Sequence, residues 1–189
     1  QMCIRDRIKP EKAIKLEKDA LAQIENITAD NARLVSNLHA NLGGLYRMNG
    51  HPDLAREHME KSISLLDQFN LLHINDSIPQ IANYAMFLTE QQEPERGISE
   101  LQKLSGIIKE YHSDDCLDYA KVQETLGTIY LMTANLPQAK THFKRAFKIY
   151  EKIWADEPEM IEAKYQEIQE LYPQIGFCIG KNLSGLLTK

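Results

Sequence analysis

One pattern is written into this sequence twice, 84 residues apart. Leu42-Gly43-x-x-Tyr46 is answered by Leu126-Gly127-x-x-Tyr130, and Ala55, Met59 and Ser62 by Ala139, Phe143 and Ala146 at the same displacement. Half that displacement lands on a weaker copy. There Tyr84-Ala85 and Leu88 stand for Leu-Gly and Tyr, Gly97 for Ala55 and Leu101 for Met59, and Pro94 follows Pro52 by 42 residues. A chain that repeats at this interval must fold as like units, each packed on its neighbours.

The stretch Ala40–Leu66 shows what one unit is. Leu42, Leu45 and Tyr46 recur at helical spacing, with Gly43 and Gly44 between them where a neighbouring helix is expected to come close. Asn49-Gly50 stops that helix. Pro52 sits just inside the next one, where its missing N–H costs nothing, and Ala55, Met59, Ser62 and Ile63 give it an inward stripe. The unit is an antiparallel helical hairpin with a short turn.

Leu-Gly-x-x-Tyr, a glycine before the turn, then Ala55, Met59 and Ser62 at intervals of four and three resemble the tetratricopeptide repeat. The second helices run on alike, with Leu65 and Phe69 matched by Ile107 and Tyr111 and by Ile149 and Ile153. A 34-residue unit has no room for those turns, so the chain resembles the 42-residue, kinesin-light-chain-like class over about 36–161. The resemblance implies an all-α fold, a right-handed superhelical stack of antiparallel hairpins.

The remaining boundaries follow from the same period. Residues 1–9 lack repeat logic and read as a non-native or disordered leader. Ala13 and Ala20 lie 42 residues before Ala55 and Ser62, so 10–27 reads as the second helix of a repeat whose first helix is missing, within a half repeat and linker over 10–35. The chain thus reads as a fragment of a longer array. Asp30 or Asn31 is expected to cap the next helix, and Asp76 or Ser77 the one after. Full repeats are expected at 36–77, 78–119 (degenerate) and 120–161, with a capping helix and apolar tail over 162–189. The helix from Glu159 to Tyr172 carries Ile161, Tyr165, Ile168 and Tyr172 on one side and polar residues elsewhere, as a terminal cap requires.

In a stack of this kind the first helix of each repeat lines the hollow face. The resemblance therefore places a peptide-binding groove at the non-core positions of those helices. These are Asn37, Asn41, Gly44 and Arg47, then Asn83, Met86 and Glu90, then Lys121, Glu124, Thr125 and Thr128. Asn41 and Asn83 are equivalent. An amide carries both donor and acceptor, so the pair either grips a peptide backbone or bonds neighbouring helices and holds the stacking together. The carboxylate clamp that some tetratricopeptide domains use for chaperone tails is rejected. Its positions fall on Ala40, Gly44, Asn83, Lys121 and Thr125, and only Asn83 and Lys121 match.

Composition bounds the rest. With 43% hydrophobic and 26% charged residues the chain is globular, and a net charge of −5 argues against nucleic acid, no cluster of Lys and Arg standing out. No stretch of about 18 apolar residues would cross a membrane. Cys3, Cys116 and Cys178 form no CxxC pair, which points to a reducing, cytoplasmic compartment and to no zinc site. The six histidines are scattered, although His51 and His58 could approach one another; no HExxH and no phosphate loop appear. Asp114-Asp115 reads as a turn and cap, and Trp154 as a core or cap contact. The expectation is a non-enzymatic scaffold without cofactor or metal. Its partner is a protein or peptide held in the groove, with self-association through exposed repeat ends. The alternative is a sensory or regulatory segment of a larger bacterial signalling protein.

Overall fold

In a computed structural model of the protein, residues 10–171 are described. They form eight helices and no strand: α1 (Pro10–Ala22), α2 (Ala32–Met48), α3 (Pro52–Gln68), α4 (Ser77–Glu90), α5 (Pro94–Tyr111), α6 (Leu117–Met132), α7 (Leu136–Ile153) and α8 (Pro158–Leu171). The expected leader 1–9 and the tail from residue 172, with Cys3 and Cys178, lie outside the described residues. Two compact units divide within α4, one running to Phe87 and the other starting at Leu88.

The repeat shows first in its turns. Positive φ occurs at Gly50 (73°), Gln92 (66°) and Ala134 (59°), 42 residues apart each time. The same two hydrogen bonds close each turn. His51, Glu93 and Asn135 donate their N–H to the carbonyls of Tyr46 (2.9 Å), Leu88 (2.8 Å) and Tyr130 (2.7 Å), while Gly50, Gln92 and Ala134 donate to Arg47, Thr89 and Leu131. This is a Schellman ending, which satisfies two orphan carbonyls and requires a left-handed residue at its corner. Only the first copy supplies glycine there. Asn70, with φ of 53°, ends α3 in the same way.

In the first unit α2 and α3 fold back on one another around Val35, Leu42, Tyr46, Ala55, Met59, Leu65 and Leu66, all buried. In the second, α6 and α7 do so around Ala120, Val122, Leu126, Ile129, Ala139, Phe143, Ala146 and Tyr150. The glycine of each Leu-Gly pair is the point of closest approach. A Cβ on Gly43 would stand 2.5 Å from Cγ of Met59 and 3.3 Å from the Ala55 carbonyl, and one on Gly127 would stand 3.0 Å from two ring atoms of Phe143. Gly44 differs from expectation. A Cβ there meets nothing within 4 Å, because its position points away from the α3 contact.

Several ends depart from the sequence reading. The first helix stops at Ala22 rather than near residue 27. It buries no residue, and Glu17 stands where the repeat places the knobs Met59, Leu101 and Phe143. Asn31 precedes α2 but gives it no side-chain cap; its Oδ1 accepts from Thr28 N and its Nδ2 donates to the Asn26 carbonyl. Ser77 donates its hydroxyl backwards to the carbonyls of Leu72 and Ile74, and Asp76 faces α2. Helix α6 is capped by Cys116, whose Sγ accepts from Tyr119 N, while Asp115 pairs with Lys152. In α8 Ile161 and Ile168 are buried as expected, and Trp154 stacks on Tyr150 at 4.8 Å.

Candidate peptide-binding face

In the first unit the exposed sides of α2 and α4 share an open pocket of ≈ 340 Å³, lined by Asn37, Ala40, Asn41, Asp76, Pro79, Gln80 and Asn83. Beneath it lies a polar network spanning three helices. Gln80 is buried on α4, and its Oε1 accepts from the hydroxyls of Ser36 on α2 (2.8 Å) and Ser62 on α3. Its Nε2 donates to Oδ1 of Asn37 at 2.5 Å. The rim is ionic: Arg33 donates to Asp76 at 2.7 Å and Asn37 Nδ2 donates to the same oxygen at 3.3 Å. Those bonds, first from Arg33 and then from Asn37, hold the Asp76 carboxyl below its usual range.

The two equivalent asparagines have different fates. Asn41 donates to Oε1 of Glu17 on α1 at 3.0 Å, so it ties two helices together. The other oxygen of Glu17 is buried without a partner. Asn83 lies exposed on the pocket wall, and its amide has no hydrogen-bond partner among the described residues. Thus Asn37, Asn41 and Asn83 come together at one pocket. Arg47 and Met86 lie half-buried in the same unit, outside its lining.

In the second unit, Glu90 is exposed at the end of α4. On α6, Lys121 pairs with Asp118 at 3.5 Å, and Thr128 is half-buried. Thr125 bonds its own helix at the Lys121 carbonyl. Glu124 is enclosed, accepting from Tyr150 OH at 2.6 Å and from Lys164 of α8 at 3.0 Å.

A second arrangement was missed from sequence. His39 and His58 face one another with Nδ1 atoms 2.8 Å apart, and His58 stacks on Tyr46. The third repeat repeats this with one change: Gln123 accepts or donates at Nδ1 of His142 at 2.9 Å, and His142 stacks on Tyr130. Positions 39 and 58 lie 84 residues before 123 and 142, which was the available signal. His51 instead meets the edge of Tyr46. Burial, then His58 and Lys61, push the His39 pKa down to about 4. Burial also lowers His58 and His142. Among the described residues no three His, Cys, Asp or Glu side chains group as a metal site, and no helix is long and apolar enough to cross a membrane.

Two helical hairpins 84 residues apart, each closed on a glycine contact, and a turn that recurs every 42 residues define a tandem helical-repeat protein. Residues 77–152 match the tetratricopeptide repeat family, so the chain carries tetratricopeptide repeats over that stretch. Its fold is similar to that of BtubC (BKLC) from P. vanneervenii. The crystal structure of that protein superposes with a TM-score of 0.72, covering 94% of this chain and 74% of that one at 18% identity. No curated protein matches the chain.

Proposed function

We propose that this chain is a non-catalytic scaffold of the protein-interaction kind that tetratricopeptide repeats generally form, holding an extended peptide of a partner protein at the pocket between α2 and α4. The observation that carries the reading is Asn83. Its amide faces an open pocket with no partner, beside Asn37 and Asn41, and offers one donor and one acceptor to a peptide backbone. A backbone contact of this type accepts many sequences, while side-chain pockets select among them.

The test uses a peptide array followed by titration of the best binder. Asn83→Ala removes the amide without disturbing any bond within the protein, so helicity stays unchanged and affinity falls about tenfold, the equivalent of one or two peptide hydrogen bonds. Unchanged affinity in a folded Asn83→Ala variant would move the binding face elsewhere. Asn41→Ala serves as the contrast, because it also releases Glu17.

A further inference from the structure

The outer face of α7 is unlike that of the other second helices. On α3, Asp53, Glu57 and Glu60 are interleaved with Arg56 and Lys61, and on α5, Glu95 and Glu100 with Arg96 and Lys103. Helix α7 carries Lys140, Lys144, Arg145, Lys148 and Lys152 against Glu151 alone. The four lysines are spaced by four residues and all are exposed, so they follow one ridge about 18 Å long, with a charge about every 6 Å and a turn of about 40° at each step. Like charges at this spacing repel, and only Lys152 is neutralised, by Asp115. Lys140, Lys144 and Lys148 make no ion pair among the described residues. In the sequence the lysines are separated by residues that include the buried Phe143, Ala146 and Phe147; winding the helix brings them onto one ridge.

We propose that this row is a second docking surface, for an acidic helical segment of a partner protein with carboxylates repeated every four residues. Three features select that occupant. The lysines follow the i, i+4 ridge of α7, which winds slowly around the helix, and an i, i+4 row of Glu on another helix presents the same spacing and the same winding, so the two ridges meet where the helices cross. The apolar side of α7 is already buried through Ala139, Phe143 and Tyr150, and only Leu136 and Ile153 at its two ends are exposed, so no apolar stripe is left to insert into a bilayer. Helix α8, packed on α7, carries Glu159, Glu162, Glu167 and Glu170 against Lys164, and the chain as a whole is at −5, so a long polyanion that overran the ridge would meet repulsion.

The experiment titrates the full chain with a helical peptide bearing Glu at every fourth position over four turns. The controls are an isomer of the same composition with its Glu residues consecutive, a 20-nucleotide single-stranded DNA and phosphatidylserine vesicles. The spaced peptide is expected to bind at low salt and to lose about tenfold in affinity in Lys144→Glu/Lys148→Glu, with a further loss as salt shortens the Debye length. The reversal relieves repulsion along α7, so the thermal midpoint should not fall; Lys140→Gln/Lys144→Gln/Lys148→Gln gives the same loss without new charge. Asn83→Ala should leave this binding unchanged, which separates the ridge from the pocket. Equal binding of both peptide isomers, stronger binding of the DNA or the vesicles, or no binding at all would overturn the proposal.

Discussion

Replacing Ala134 by glycine should stabilise the protein, although glycine near a helix is normally harmful. Ala134 occupies the left-handed corner of the α6–α7 turn at φ 59°, held there by its own bond to Leu131 and by the 2.7 Å bond from Asn135 to Tyr130. An alanine in that region carries a steric penalty of about 1–2 kcal/mol. Glycine removes the penalty but adds freedom to the unfolded chain, a loss of roughly 0.5–1 kcal/mol. The difference is a gain of about 0.5–1 kcal/mol, and for a chain of this size that moves the midpoint upward by roughly 1–4 °C. Gly50→Ala, at the equivalent corner of the first hairpin, should show the opposite sign with similar size. Circular dichroism melts at matched concentration read both, with folded helicity as control. If Ala134→Gly lowers the midpoint, the turn is not held by the geometry described and the reasoning fails.

Gly127→Ala forces a Cβ to 3.0 Å from the Phe143 ring and should cost about 1–3 kcal/mol in chemical denaturation, partly recovered in Gly127→Ala/Phe143→Leu. Gly44→Ala, with open space around it, should instead gain up to about 1 kcal/mol from helix propensity; equal effects at the two sites would deny the close approach. Acid should weaken the fold. Histidines in the unfolded chain take up protons near pH 6.5, whereas His39 resists until about 4 and His58 and His142 are shifted the same way, so stability is full above pH 6.5 and lost as pH falls towards 4. His39→Gln copies the Gln123–His142 pair of the third repeat and should fold while flattening that pH dependence; an unaltered profile would place the acid sensitivity elsewhere.

The period told where helices pair and which faces they bury, because burying an apolar stripe against a neighbour is a demand that every copy must meet in the same way. Gly43 and Gly127 followed from it, as did the turns near Gly50, Gln92 and Ala134. What the period could not tell was how polar side chains choose partners, since that depends on which atoms come within reach once the helices are placed. Asn31 and Ser77 turned their side chains backwards, Cys116 took the cap expected of an aspartate, and Glu124 was drawn in by Tyr150 and Lys164. The candidate face was legible to the extent that it depends on spacing: Asn37, Asn41 and Asn83 do share one pocket. That Asn41 would be tied to Glu17 and Asn83 left open was a matter of a single carboxylate on α1, standing where a large apolar residue would ordinarily lie.

The amide of Gln80 gives the first unit a latch. Apolar surfaces tolerate sliding, because one methyl group serves nearly as well as another. A shift of α4 by a single residue would turn Gln80 by about 100° and strand two sealed hydroxyls and Asn37 at once, in a place water scarcely enters. Only one alignment of α2, α3 and α4 satisfies all four side chains. A stack assembled from near-copies of one hairpin thereby acquires an address: at this junction, a neighbouring copy put in place of the right one would not close.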